Sequence, residues 1–381
     1  MNTHRLPAFA AAFAASSIAA SAASVPVYLG TYTGAKSKGI YLTHLDPATG
    51  ALSAPELVAE IRSPSFLAWH PSGRFLYAVN ESGSNDGKSG GTVTAFGRAT
   101  DGRLQMLNQR STKGAHPCHL VVDSTGRWVL VANYSSGNVV SLPIEDHGAL
   151  GEPASVVQHE GSSVNEKRQK GPHAHCIQLD PANKFAFSAD LGIDQIRIYR
   201  FGGWAGVLQS NDPSNVKLPP GSGPRHLAFH PGGRHVFVIN ELLSTLATFQ
   251  YDPAKGSLKA AHSLSTLPPD FTGANTTAEV VVHPSGRFVY GSNRGHDSIA
   301  AFRFREAESK LEWIGATPSG GKTPRNFNID PSGRWLLAAN QDSDSVVVFG
   351  VDSETGALRE TGHRIEVGAP VCVKFAPPVA R

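Results

Sequence analysis

Cysteine and methionine are nearly missing from this chain, at three and two residues out of 381. The three cysteines, Cys118, Cys176 and Cys372, are an odd number without paired spacing, so no disulfide framework can be read from them. An excess of one charge sign is also lacking. Lys+Arg 34 and Asp+Glu 31 are scattered along the chain for a net charge of +3, and no basic run or aromatic-basic module accompanies them, which excludes a nucleic-acid-binding class. No repeat unit offers a long stretch with helical 3.6-residue periodicity, which excludes an all-helical fold. Turn formers are plentiful instead: 39 glycines and 26 prolines stand beside 40% hydrophobic residues. A disordered chain would carry fewer apolar residues and more net charge, so this is a folded chain with many reversals.

The apolar stretch at the N-terminus is Ala-rich and too short for a membrane span. His4 and Arg5 precede Leu6 to Ala20, and Ala20, Ser21, Ala22 and Ala23 offer a small-residue cleavage site. This is the layout of a cleavable secretory leader, residues 1–23, followed by a single domain over 24–381. The expected address is the periplasm or the exterior, with no membrane span after cleavage.

One phrase recurs: His70-Pro71-Ser72-Gly73-Arg74, then Asp123, Asp180, His230, His283 and Asp330 at the head of similar turns. The spacing is roughly 50 residues, the range of a propeller blade. Each phrase joins two apolar runs into a hairpin, as Phe66–Trp69 and Phe75–Val79 do around the first. A third, alternating run follows (Thr92–Phe96, Ser244–Gln250, Ser298–Phe304, Ser345–Phe349), and a turn such as Asp252–Gly256 leads into a fourth. Four strands per unit is the blade architecture. Six hairpins leave Pro26–Thr31 and Gly39–Leu45 without a first strand, while Pro370–Phe375 resembles a first strand with nothing after it. The expected fold is therefore an all-β seven-bladed propeller, four antiparallel strands per blade, closed by the C-terminal strand in the N-terminal blade.

In an antiparallel hairpin the start of the first strand lies beside the end of the second, so both fall on the face opposite the turn. The His and Asp at the turn heads alternate at one repeat position and are read as turn caps, and the repeated arginines of the phrase as structural. Five positions before each phrase stand Ser65, Cys118, His175, Arg225, Ala278 and Arg325, and next to them Phe66, His119, Cys176, His226, Glu279 and Asn326. The second strands end on Asn80, Asn133, Asp190, Asn240, Asn293 and Asn340, followed by Glu81, Tyr134, Leu191, Glu241, Arg294 and Gln341. A purely structural ring would keep one residue type. This rim diverges toward His, Arg and Glu, so it is the candidate site, at the mouth of the central channel. The Asn ring caps tight turns or touches substrate, and Asn133 and Asn240 are carried as candidates for the second role. His116, His119, His173 and His175 lack the carboxylate or fixed spacing of a metal site. No metal and no cofactor is expected.

Gly223–Leu227, Val238–Leu242, Pro172–His175, Asn293–Ser298 and Thr323–Phe327 resemble signature segments of the seven-bladed propeller lactonases, the family of the bacterial 6-phosphogluconolactonases, which is similar to a fungal carboxy-muconate cyclase. The resemblance runs from Tyr28 to Phe375. It implies that His173 or His175, Arg225, Glu241 and Arg294 carry the site. Gly161–Asn165 and the charged Glu166–Lys170 also look like the family and are read as a flap over the rim.

The expectation is a monomeric, metal-independent lactonase for a small anionic or sugar-derived lactone. Arg225 and Arg294 hold the carbonyl oxygen or anionic substituent, with Arg325, His226, His119, Glu81, Asn240 and Asn133 in binding roles, and Glu241, His173 or His175 activates water. On this reading Arg225→Ala loses most activity at unchanged stability. Two rivals use the same residues: an isomerase opening or closing a muconate-type lactone, and a non-catalytic propeller that binds a ligand or protein on its rim. A 6-phosphogluconate lactone arises in the cytosol, so export points to another sugar lactone.

Overall fold

Every Pro-Gly phrase reverses the chain between two short strands, and the computed structural model places these hairpins in seven four-stranded antiparallel sheets. It describes Met1, residues 24–85 and residues 88–379. The expected leader, residues 2–23, lies outside the described residues. Among the described residues no helix is long and apolar enough to cross a membrane.

Blade 1 is built from both ends of the chain. Glu56–Glu60, Gly39–Leu45 and Val25–Thr31 take Pro370–Phe375 as their fourth, innermost strand. Its register pairs Val27 with Phe375 and Leu29 with Val373. Blades 2 to 7 follow in chain order, with inner strands Leu67–Trp69, Pro117–Val122, Ala174–Leu179, Pro224–Phe229, Thr276–Val282 and Pro324–Ile329. These inner strands pack on one another around the axis.

The turn heads do two jobs. Asp123 Oδ1 accepts the backbone N–H groups of Arg127 and Trp128 at 2.7 and 2.8 Å, and Asp180 repeats this with Lys184 and Phe185. A small carboxylate thereby satisfies donors the turn leaves open. His70, His230 and His283 instead reach the next blade, where their Nε2 atoms donate to the carbonyls of Gly126, Gly286 and Gly333 at 3.0, 3.1 and 2.9 Å. Gly126 is obligatory there: its φ is +72°, and a Cβ would fall 2.2 Å from His70 Nε2. Buried Tyr28, Tyr77 and Tyr290 tie neighbouring blades in the same way, through Gly102, Gly148 and Gly356 carbonyls. Between the sheets lie apolar clusters such as Phe187, Val236, Val238 and Phe249. Each such side chain contributes about 1.5–3 kcal/mol by leaving water.

A β-bulge at the start of the inner strands positions the site. In blade 5 Pro224 pairs with Asn240 and His226 with Ile239, so Arg225 is an extra residue opposite none. Cys118, His175 and Arg325 are the extra residues of blades 3, 4 and 7, and Val371 that of blade 1. A bulge bends the strand and lets two consecutive residues face one side. Arg225 and His226 thus both line the channel, as do Arg325 and Asn326.

Candidate active site

On the face away from the Pro-Gly turns, a small cleft with room for about one water opens at the channel mouth. Its walls include Ser65, Glu81, Cys118, Arg225, His226 and Arg325. Beside it Glu241 is clamped by three guanidiniums. Arg168 Nη2 lies 2.7 Å from Oε1; Arg294 Nη2 and Arg225 Nε lie 3.0 and 3.1 Å from Oε2. The Arg225 contact is an ion pair without the alignment of a hydrogen bond. Its Nη1 donates to the Ala278 carbonyl at 2.7 Å, and Arg294 Nη2 donates to Thr277 O at 2.7 Å. Burial would raise the Glu241 pKa, but Arg294, Arg225 and Arg168 outweigh it and bring it from 4.5 down to about 2. Burial, with Arg225 and Arg325 nearby, presses Arg294 below its ordinary value. A group as basic as a guanidinium stays charged in spite of this.

Of the three candidate bases, Glu241, His173 and His175, this geometry suits Glu241 least. A carboxylate so strongly stabilised as an anion has little tendency to take a proton, and its contacts suit it to hold the arginines in place. The same geometry corrects the expectation that Arg225→Ala leaves stability unchanged. Arg225 is only 2% exposed, and its loss leaves a void and strips Glu241 of one of its three cationic partners.

Arg325 is placed differently. No ion pair within 4 Å or hydrogen bond to another described residue engages its guanidinium, which sits 5.3 Å from the Tyr32 ring centre. The Tyr32 hydroxyl donates to Glu81 Oε2 at 2.9 Å, so Glu81 is oriented on the same cleft. Four arginines, Arg168, Arg225, Arg294 and Arg325, face Glu241, Glu81 and, behind His226, Glu279, which leaves the mouth net positive.

The histidines divide by tautomer and depth. His173 is half-buried, its ring stacked on Tyr134 at 4.5 Å and 13°. Its Nδ1 lies 3.0 Å from the Tyr134 carbonyl, which can only accept, so the proton sits on Nδ1 and Nε2 keeps its lone pair. The Asp190 carboxylate holds the His173 backbone N–H at 2.7 Å. His175 is buried, its Nδ1 3.7 Å from Cys118 Sγ, and burial followed by Arg225 pushes its pKa well down. Burial pushes the Cys118 thiol well up, so it stays protonated and is no nucleophile.

His226 lines the cleft, and its Nδ1 pairs with Glu279 Oε1 at 2.9 Å. Asn326 Nδ2 donates to the other Glu279 oxygen. His119 lies deeper than expected, stacked on Phe66 and facing a second cavity toward the other end of the channel with Gln178, Asn328 and Lys374. Asn133 and Asn240, expected on substrate, are buried, and their Oδ1 atoms have no hydrogen-bond partner among the described residues. Their Nδ2 atoms donate to Thr112 O and Thr245 Oγ1, because an amide at a strand end satisfies local acceptors first.

Sequence reasoning placed Tyr134 on the rim without a role and missed Arg168 and Tyr32 as site residues. The charged Glu166–Lys170 segment was the only signal for Arg168, which enters from the 161–170 loop and also donates to the Tyr134 hydroxyl at 3.1 Å.

The chain matches the family described as "Lactonase, 7-bladed beta-propeller" over residues 26–375. It is 36% identical to a 6-phosphogluconolactonase of Bacillus subtilis, over 91% of this chain and 97% of that one. Among solved structures, a periplasmic gluconolactonase of Pseudomonas aeruginosa superposes with a TM-score of 0.88 at 33% identity, covering 93% of this chain and 99% of that one. A putative 6-phosphogluconolactonase of Bacteroides fragilis gives a TM-score of 0.87 at 34% identity, with coverage of 93% and 98%. Seven closed blades, a cationic channel mouth and these matches lead to one assignment: the chain belongs to the seven-bladed β-propeller lactonases, and with them to the carboxylic ester hydrolases.

Proposed function

We propose that this chain, exported by a leader over residues 1–23 and working as a single monomeric domain over 24–381, hydrolyses a sugar-derived lactone at the channel mouth without a metal. The observation that carries the reading is the net positive charge there, with Arg325 held in no ion pair within 4 Å among the described residues. Arg325 and the free edge of Arg225 hold the carbonyl oxygen, or an anionic substituent, and stabilise the oxyanion as it forms. His173 Nε2 takes a proton from a water whose oxygen attacks the carbonyl carbon. The ring C–O bond then breaks, and the leaving alkoxide takes that proton back from His173, giving a hydroxy acid. Glu241 holds Arg225, Arg294 and Arg168 in place. An exported enzyme meets lactones made outside the cytosol, so an unphosphorylated aldonolactone, or another anionic lactone, fits better than a phosphorylated one.

The test is a panel of sugar and phosphosugar lactones, read by acid release and product mass, with and without chelator. Chelator-insensitive turnover with a gain of one water is expected. His173→Gln should lower kcat by about 10²–10⁴-fold, and Arg325→Ala should lower kcat/KM by about 10²–10³-fold at an unchanged melting temperature. A product of unchanged mass would make the chain an isomerase. Full turnover in both variants would remove this site.

A further inference from the structure

The turn-side face holds one place where the repeat breaks its own rule. In the turn phrases of the other blades, the residue that opens the second strand is aromatic: Phe75, Trp128, Phe185, Phe288 and Trp335. Each lies against a positive-φ glycine of a neighbouring blade, respectively Gly148, Gly206, Gly256, Gly356 and Gly50, where a Cβ would approach the ring to 2.2–2.8 Å. Blade 5 has His235 at this position, and the residue facing it is Ser309, not glycine. The turn itself departs too. His70 and His283 hold a serine hydroxyl 2.8 Å from Nδ1, from Ser72 and Ser285. His230 has Gly232 at that place, and a Cβ there would come within 3.2 Å of Glu306 Oε1.

The outcome is a gap lined by two imidazole nitrogens and a carboxylate, all within 4.8 Å of one another. His230 Nε2 donates to the Gly286 carbonyl at 3.1 Å, which leaves the Nδ1 lone pair inward. His235 Nε2 lies 3.0 Å from Ser309 Oγ, an oxygen that also accepts from Gln250 Nε2 at 3.0 Å. Ser309 Oγ keeps a second lone pair for a proton on His235 Nε2, the tautomer that a cation at Nδ1 requires. His235 is 7% exposed and its Nδ1 is buried without a hydrogen-bond partner, an arrangement a folded protein seldom keeps without a ligand. Glu306 Oε1 lies 3.8 Å from His230 Nδ1 and 3.9 Å from His235 Nδ1.

We propose that His230, His235 and Glu306 form a structural site for a zinc-type divalent cation that staples blade 5 to blade 6. Two imidazoles and a carboxylate select zinc over calcium or magnesium, and a water from the open Glu306 side completes four ligands. His230 already donates its other ring N–H to a carbonyl, and Ser309 Oγ can accept that of His235, as oxygens do for metal-bound histidines. Closing the set to bonding distances needs a turn of the half-exposed Glu306 side chain, an approach of the two imidazoles and release of the Gly232 N–H, now 3.0 Å from His230 Nδ1. The site stands at the far end of the strand His235–Asn240 from the cleft, about 17 Å away at 3.3 Å per residue. It therefore plays no part in turnover.

The test uses tag-free mature protein stripped with chelator and titrated with Zn²⁺ alone, read by calorimetry and by melting temperature, with Co²⁺ as a spectroscopic probe. One ion per chain, a melting temperature raised by several degrees and visible Co²⁺ bands are expected. Glu306→Gln, which leaves the fold untouched, should weaken zinc binding at least about tenfold, and His235→Phe, which restores the repeat, should abolish it. No uptake, or uptake that survives both substitutions and quenches turnover, would overturn the proposal.

Discussion

Glu241 shows how residue identity and residue role separate. Its place at the rim follows from strand spacing alone, but its role depends on Arg168, 73 positions away, closing over it. Nothing in a local pattern reports such a contact, so the rim residues were legible and their division of labour was not. The clamp makes a prediction about acid. A glutamate lowered from 4.5 to about 2 adds stability that is complete above about 4.5 and is lost as pH falls toward 2. Glu241→Gln removes that contribution at every pH and leaves the two inner guanidiniums, Arg225 and Arg294, without their counter-ion, costing about 3–5 kcal/mol near neutrality. In denaturant melts the gap between wild type and variant should therefore shrink as pH drops through the window from 4.5 to about 2. A gap constant over that range would mean that Glu241 is not held as an anion by its arginines.

Elements carry the next layer of specificity. The period of the turn phrase locates each inner strand and hides its bulge, because an extra residue inside a strand changes neither the turn nor the apolar alternation around it. The 161–170 loop was visible as the longest interval between phrases, while its anchor was not. That anchor is Asp194, buried at φ +52°. Its Oδ1 accepts Gln169 Nε2 at 2.8 Å and the Gly223 N–H at 2.7 Å; its Oδ2 accepts Ser163 Oγ at 2.5 Å and the Gly221 N–H at 2.6 Å. One carboxylate thus clips the loop that delivers Arg168 to the loop that precedes Arg225. Asp194→Ala should release both. Trypsin should then cut at Lys167, Arg168 or Lys170 at least about tenfold faster, since local opening sets the cleavage rate, and kcat/KM should fall as Arg168 leaves Glu241. An unchanged cleavage rate would show that Asp194 is not the latch.

At the scale of the whole molecule, the ring depends on one strand. Pro370–Phe375 lies between Val25–Thr31 in its own sheet and the inner strands of blades 7 and 2, and Ala376 N–H donates to Pro26 O at 2.9 Å. It also serves the channel: the Val373 N–H donates to Asn326 Oδ1 at 2.8 Å and the Val373 carbonyl accepts Asn328 Nδ2 at 3.1 Å. Val371, Cys372 and Val373 are buried. Deleting residues 370–381 would expose an unpaired edge along Val25–Thr31, open an apolar gap between blades 7 and 2, and orphan the amide that steers Glu279. An open sheet edge is an aggregation site, so the truncated protein should lose its cooperative thermal transition and associate. A synthetic peptide spanning 369–379 should restore the transition in proportion to its concentration, because it binds the closed ring and not the unfolded chain. A truncated chain that melts as sharply as the full one would mean that the ring does not depend on this strand.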